Sequence, residues 1–236
     1  MVEAGASNDE PQLSVIVMAY NEAASLKSVA DEITEGVRAL GIHHELLIID
    51  DGSNDGTGQI ADDMAGENRL IRVIHHNPNG GLGAVYRTGF SEARGAYLTF
   101  FPADGQFPAS SIKDLMGAML DHDMVLGYLP KRPGMFLSRM LSLLERLLYR
   151  LLFGPLPAFQ GVLMFRRALL KDVRLESQGR GWAVLMELIL RTSRSGYRVT
   201  SLPTALRPRV AGRSKVNNFR TVWANFIQVI ELRRRL

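Results

Sequence analysis

Short apolar runs alternate with stretches of helical periodicity through the first 128 residues. The run LSVIVMA predicts a buried strand over Leu13–Ala19, and residues 21–40 repeat apolar positions at helical spacing. ELLIID at 45–50 predicts a second strand, closed by the turn formers Asp51, Gly52, Ser53, Asn54, Asp55 and Gly56. A helix over 57–65 and a strand over Ile71–His75 follow. Gly80, Gly81, Leu82 and Gly83 open a helix reaching about residue 93, before a strand over 96–101. A helix over 113–120 and a strand over 124–127 complete the series. Strand and helix in alternation predict an α/β fold, a mostly parallel sheet flanked by helices.

The pattern then changes. Pro133 and Gly134 precede a helix over 135–153 with a narrow polar face. Ser138, Arg139, Ser142, Glu145, Arg146 and Arg150 fall within an arc of about 140° at 100° per residue. The three arginines share one edge of that arc, and Met, Phe, Leu and Tyr fill the rest. Two readings fit: a helix lying in a membrane interface with its arginines at the headgroups, or a helix packed on the core. A second helical stretch, a helix in Trp182 to Ser193, carries Glu187. There it is either a solvated surface carboxylate or a group that orients an acceptor.

Composition narrows the classes. The chain has 236 residues, 46% of them apolar and 22% charged, the balance of an ordinary globular protein. Cysteine is absent, which excludes disulfides, thiolate nucleophiles and Cys-ligated metals. No run reaches the ~18 apolar residues of a membrane-spanning helix. The opening MVEAGASNDE is acidic and has no apolar core, unlike a secretory signal, so a cytoplasmic protein is expected. The net charge of +4 hides an asymmetry: residues 1–123 carry 7 basic and 19 acidic side chains, residues 124–236 carry 21 and 5. The second half therefore faces an anion (nucleic acid, phosphate groups or an anionic membrane surface) or is a solvated basic face. Nucleic acid is the poorest fit, because aromatic residues are not interleaved among the basic ones.

In an open parallel sheet, ligands bind beyond the carboxyl ends of the strands. Three such ends carry polar turns: residues 19–22, 50–55 and 102–106. Acidic groups there can bond a ribose or base edge, or hold a divalent cation bridging phosphates. The pairs His43, His44 and His75, His76 lack a third ligand at metal-binding spacing. The ten methionines are scattered and read as core filler. Trp182 and Trp223 suit interfacial anchors or core equally.

The segments LSVIVMAYNEAASL, ELLIIDDGSNDGT, NGGLGAVYRTGFSEARGAYLTFFPADGQFP, LMFRRALL and GYRVTSLPTALRPRVAGRSK occur in that order between residues 13 and 215. As an ordered set they resemble the inverting glycosyltransferases of family 2 with the GT-A fold, and within them the polyprenyl-phosphate branch, dolichyl-phosphate mannose synthase-like. The resemblance implies a single GT-A domain over 12–216, its nucleotide-sugar half at 12–123 and its acceptor half at 124–216. It would be preceded by a disordered segment over 1–11 and followed by a basic amphipathic helix over 217–236. By the same resemblance Ala19, Tyr20 and Glu22 form the first nucleotide-binding turn, and Asp51 reads the base or ribose. Gly83 and Arg87 stand at the helix entry beside the nucleotide. Ala103, Asp104 and Gln106 match the end of an Asp-Ala-Asp-x-Gln signature that binds metal and donor diphosphate. Arg132 matches a basic residue near the donor, and Arg209 and Lys215 the pair that clamps the diphosphate, with Ser214 beside them. Arg132 and Arg139, with Ser214, are candidates to meet an acceptor phosphate.

The chain departs from the pattern at three places. Pro102 stands where the signature has its first Asp, so Mg²⁺ or Mn²⁺ would be held by Asp104 and Gln106 with phosphate oxygens and water, and more weakly. Metal-independent binding, with Arg209 and Lys215 neutralising the diphosphate, is the alternative. Ala158, Phe159 and Gln160 stand where the branch often has an acidic residue. Gly127, Tyr128 and Leu129 replace Gly-Tyr-Arg or Gly-Ser-Arg. The expected reaction is a one-step transfer from a nucleoside-diphosphate sugar to a polyprenyl phosphate or other lipid acceptor, by a protein peripheral on the cytosolic membrane face. A saccharide acceptor and a catalytically weakened nucleotide-sugar-binding homologue are the other two readings.

Overall fold

The computed structural model describes residues 10–130, 150, 152–154, 156–209 and 232–234. Seven strands form one sheet: β1 (Leu13–Ala19), β2 (His44–Asp50), β3 (Ile71–His75), β4 (Tyr97–Pro102), β5 (Met124–Tyr128), β6 (Leu163–Arg166) and β7 (Val199–Pro203). Their order is β3-β2-β1-β4-β6-β5-β7. β1 is parallel to β2 and β4, β2 to β3, and β5 to β7; β6 alone runs antiparallel, between β4 and β5. The helices are α1 (Leu26–Ala39), α2 (Thr57–Glu67), α3 (Leu82–Glu92), α4 (Ser111–Ala118), α5 (Leu169–Asp172) and α6 (Ala183–Arg194).

The sheet is covered on both faces, and the period of two along each strand divides its residues between them. Val15, Val17, Leu46 and Ile48 pack with α1, α2 and α4 through Ala30, Ile33, Ala61 and Leu115. Ile16, Leu47, Leu98 and Phe100 pack with α3 and α6 through Tyr86, Leu185 and Leu188. Continuous apolar runs are what strands buried on both sides require. Phe153 and Leu232 join this second cluster, 7% and 1% exposed. Apart from Arg150, Leu152 and Phe153, the helix expected over 135–153 lies outside the described residues, as does nearly all of 217–236. Among the described residues no helix is long and apolar enough to cross a membrane.

Three expectations need correction. The first helix begins at Leu26, not at 21, because Asn21 takes φ 51°, a left-handed conformation that no helix accepts. β6 and β7 were not expected as strands. LMFR is too short an apolar run to show its period, and β7 is a half-buried edge strand of mixed polarity. Glu187 is neither solvated nor turned to an acceptor: it is fully buried inside α6. Of the described methionines, Met64, Met119, Met124, Met164 and Met186 are buried, in keeping with their reading as core filler.

Candidate functional site

The chain runs outward from β1 through β2 to β3, then crosses back to place β4 on the other side of β1. That reversal opens a crevice beyond the carboxyl ends of β1 and β4, where ligands of open α/β sheets bind. Ala19, buried at the end of β1, leads into Tyr20, 36% exposed. The turn after it is sewn to the turn after β2. Asn21 N–H donates to Ser53 Oγ (2.8 Å), Glu22 N–H to Thr57 Oγ1 (2.8 Å), Ala23 N–H to Asp55 Oδ2 (3.2 Å), and Asn54 N–H to Asn21 Oδ1 (2.9 Å). Burial pushes the Asp55 carboxyl up, but hydrogen bonds from Thr57 and Ala23 outweigh it and hold the group below the usual carboxylate range. Glu22 Oε2 accepts from Ser25 Oγ at 3.2 Å.

Asp51 is 4% exposed and its carboxylate takes four hydrogen bonds. Oδ1 meets His76 Nδ1 (2.7 Å) and Gly80 N–H (2.8 Å); Oδ2 meets Asn79 Nδ2 (2.8 Å) and Gly81 N–H (2.8 Å). Those bonds fill the roughly four lone-pair sites of a carboxylate. In this state Asp51 shapes the 79–81 turn, and reading a base or ribose requires it to exchange one of these partners. The histidines, which sequence spacing gave no role, complete the network. His76 Nε2 reaches Thr88 Oγ1 (2.9 Å), and His75 lies between Asp50 (Nδ1, 3.0 Å) and Asp62 (Nε2, 3.0 Å). The hydrogen bonds to Asp50 and then Asp62 raise the His75 pKa above its ordinary value.

Gly83 and Arg87 come together against the chain's own segment 177–181. Gly83 N–H donates to Arg180 O (2.8 Å), and Arg87 Nη1 to Gly179 O (3.1 Å) and Ser177 O (3.4 Å). A Cβ on Gly83 would lie 2.1 Å from Gly179 O, so only glycine lets the segment approach α3. Arg180 Nη2 in turn donates to Asn79 Oδ1 (2.7 Å). The segment is anchored from below by Glu187, whose Oε2 accepts from Glu176 N–H (3.0 Å) and Ser177 N–H (2.8 Å) while Oε1 meets Arg191 Nε (2.8 Å). A continuous set of contacts thus runs from Glu187 to Asp51. No residue pattern in the sequence signals it, because a backbone N–H or C=O takes part in most of its bonds.

At the end of β4, Ala103 N–H bonds Met18 O (3.0 Å) and is buried. Asp104, 6% exposed, accepts Gln106 N–H at Oδ1 (3.0 Å) and meets Arg209 Nη2 at Oδ2 (3.1 Å). The strand's continuation returns to this point because Arg207 N–H bonds Gln106 O (2.8 Å) and its guanidinium pairs with Glu32 (3.1 Å). Asp104, Gln106 and Arg209, separated by about a hundred positions in sequence, therefore share one corner. Gln160 Oε1 is buried without a partner among the described residues. Arg132, Arg139, Ser214 and Lys215 lie outside the described residues.

Among the described residues no group of three or more His, Asp or Glu side chains is placed to hold a metal ion. Asp104 and Gln106 offer one carboxylate and one amide oxygen, and a hard six-coordinate cation needs about four more oxygens from phosphate or water. The pair fits a cation shared with a diphosphate, not one held by protein alone. Trp182 is half-buried against the α6 side of the core.

The model of glycosyl transferase family 2 matches residues 14–174. The undecaprenyl-phosphate mannosyltransferase of Micrococcus luteus is 27% identical over 213 residues, covering 86% of each chain. The polyprenol monophosphomannose synthase of Mycolicibacterium smegmatis is 28% identical over 218 residues, 86% of this chain and 80% of that one. In three dimensions the chain resembles a mannosyltransferase from Pyrobaculum calidifontis in complex with GDP-Man and Mn²⁺, with TM-score 0.66 at 20% identity. That match covers 97% of this chain and 66% of the other. Glucosyl-3-phosphoglycerate synthase from Mycobacterium tuberculosis in complex with UDP gives TM-score 0.71 at 18% identity over 95% of this chain and 80% of that one. At such identities the structural likeness establishes the fold, the GT-A fold.

Proposed function

Because the chain belongs to glycosyl transferase family 2, we propose that it moves a sugar from a nucleoside-diphosphate sugar to a polyprenyl phosphate with inversion, at the cytosolic face of a membrane. The observation that carries this reading is the corner where buried Asp104 meets Arg209 beside Gln106, beyond the end of β4. The names of the relatives, an undecaprenyl-phosphate mannosyltransferase and a polyprenol monophosphomannose synthase, supply the acceptor class.

The diphosphate of the donor docks at this corner, where Arg209 exchanges Asp104 for phosphate oxygens in a charge-assisted bond. Lys215 joins it from the same C-terminal segment. Asp104 and Gln106 would hold Mg²⁺ or Mn²⁺ together with the diphosphate, and the ion would supply further charge compensation for the leaving group. Tyr20 and Glu22 border the nucleoside, and Asp51 exchanges a backbone partner for its base or ribose. Arg132, Arg139 and Ser214 position the acceptor phosphate. One of its oxygens attacks the anomeric carbon from the side opposite the diphosphate. The new C–O bond forms as the old one breaks, and the nucleoside diphosphate leaves with the electron pair. No proton has to be removed from the acceptor, since a phosphate is already an oxyanion at neutral pH; positioning and charge compensation suffice.

A saccharide acceptor would need a carboxylate base for its hydroxyl. Asp50, Asp51, Asp55 and Asp104 all hold hydrogen bonds or ion pairs within the protein, which favours the phosphate acceptor. Membrane contact rests on the basic second half and on the arginine edge of 135–153. The test offers radiolabelled GDP- and UDP-sugars with undecaprenyl phosphate or with a panel of saccharides. Label in an acid-labile, organic-extractable product is the expected result. Label only in saccharide, or no nucleotide binding at all, overturns the reading.

A further inference from the structure

Opposite the candidate site, at the amino ends of β1, β2, β3 and β4, the surface opens into a cavity of about 460 Å³. It lies about 20 Å from the donor corner, the length of a seven-residue strand. Glu10 and Pro11 precede β1, His43 precedes β2 and His44 opens it, Arg69 precedes β3, and Arg94 precedes β4; Glu45, Arg72 and Arg167 complete the charged lining. Three of these arginines belong to the half of the chain that has 7 basic against 19 acidic side chains. Their convergence runs against the local charge.

The partners decide what the cavity can hold. Arg72 is committed: Nη1 meets Glu45 Oε2 (2.8 Å) and Glu92 O (3.0 Å), and Nη2 lies 3.7 Å from Glu92 Oε2. Burial pushes the Glu45 carboxyl up, but Ser14 Oγ, Arg94 N–H and Arg72 more than offset it, so Glu45 stays ionised and cancels Arg72. Arg167 donates through Nη1 to Ala93 O (3.4 Å) and meets Glu10 only loosely, at 3.7 Å, with the Glu10 side chain 57% exposed. The guanidinium groups of Arg69 and Arg94 have no ion-pair partner among the described residues. His44, 5% exposed, bonds Ile42 O through Nδ1 (2.9 Å) and leaves Nε2 without a partner. Four guanidiniums meet the carboxylates Glu10, Glu45 and Glu92, an excess of one positive charge that becomes two once Glu10 swings away, in a volume within the range of ligand pockets.

We infer that this cavity is a second anion site, and that its ligand is a phosphate monoester dianion held by Arg69, Arg94 and Arg167. Two charges match the excess, and planar guanidiniums grip phosphate through paired N–H bonds. The dianion takes Arg167 from Glu10, whose exposed side chain swings into water. The phosphate belongs to a soluble metabolite or to a lipid headgroup, and the experiment separates the two.

Glycerol 3-phosphate is titrated into the ¹⁵N-labelled full chain at constant ionic strength, with UDP or GDP present to occupy the donor corner. The expected result is saturable shifts of the Leu70, Arg94 and Gly95 amides. Arg69→Glu with Arg94→Glu should weaken them at least tenfold, with melting temperature and nucleotide affinity unchanged. Arg94→Gln alone, which adds no negative charge, should weaken them about fivefold and guards against misfolding of the double variant. In a parallel arm, vesicles of phosphatidylcholine with phosphatidic acid are sedimented with the same proteins. Binding that requires Arg69 and Arg94 here, without shifts by glycerol 3-phosphate, assigns the phosphate to a lipid. Shifts confined to Gly105 and Gln106, or variants that bind both probes like the native protein, overturn the proposal.

Discussion

Asp104 offers a single carboxylate where a cation, a guanidinium and a diphosphate all have a claim. One oxygen is held by Gln106 N–H and the other by Arg209 at 3.1 Å. Asp104→Asn keeps the shape but removes the charge, and should lower transfer by about 100-fold or more, on the scale of losing one electrostatic stabiliser. Initial rates with and without EDTA check this: equal rates for variant and native protein would remove Asp104 from the chemistry. His75 gives a prediction in pH. Its pKa is raised by Asp50 and Asp62, so its contribution to stability is complete below the unfolded value of about 6.5 and fades as pH rises through the higher folded value. His75→Gln should therefore lose more stability at pH 6 than at pH 8 in urea melts. A pH-independent loss would mean that the imidazole is a packing group only. The opposite sign holds for Asp55, whose lowered pKa makes its contribution persist until acid reaches the depressed folded value.

At the scale of elements, α3 and α6 are joined by the 177–181 segment, and two positions secure it. Gly83 allows the approach and Glu187 fixes the far end through two backbone N–H groups. Glu187→Ala removes the buried acceptor of those two N–H groups and of Arg191, whose side chain is 24% exposed, a loss of about 1 to 3 kcal/mol. Gly83→Ala should destabilise by about 1 to 3 kcal/mol, as overpacking does, because Gly179 O must retreat. Chemical denaturation of each measures the loss. Nucleotide affinity should fall with Gly83→Ala even at temperatures where the protein stays folded, since Arg180 would release Asn79 and with it the Asp51 turn. Unchanged affinity would confine the segment to a structural role.

Over the whole molecule the charge divides: residues 1–123, which supply Asp104 and Gln106 to the donor corner, carry a net −12, and residues 124–236, which supply Arg209, carry +16. If Arg139, Arg146 and Arg150 meet anionic lipid, each contributes roughly 1 kcal/mol near the surface and less beyond a Debye length. Replacing all three with Glu should abolish co-sedimentation with anionic vesicles and transfer to a long-chain polyprenyl phosphate while nucleotide affinity is retained. Unfolding of that variant would place the helix in the core, where Phe153 at its described end already lies. Saturation with the donor nucleotide at about 100 times Kd should stabilise the native protein and the variant alike, by about 2.7 kcal/mol.

How much of this was legible from residues alone follows from the range of the forces involved. Buried parallel strands need continuous apolar runs, so β1 to β5 and the helices between them could be read from local pattern, and the ordered motifs identified the fold. The residues at the strand ends were legible for the same reason, since a turn must follow each strand. What the strand ends do to one another was not. Asp51 bonding the 79–81 turn and Arg209 returning to Asp104 depend on segments meeting across long separations, and Glu187 holding two backbone amides depends on how the 176–181 segment folds back on α6. Backbone donors carry no residue signature. An exposed-looking helical glutamate and a buried one have the same local sequence until the sheet decides which face of α6 is covered. The antiparallel β6 belongs to the same class, because three apolar residues and an arginine become a strand only where β4 and β5 leave a gap between their edges.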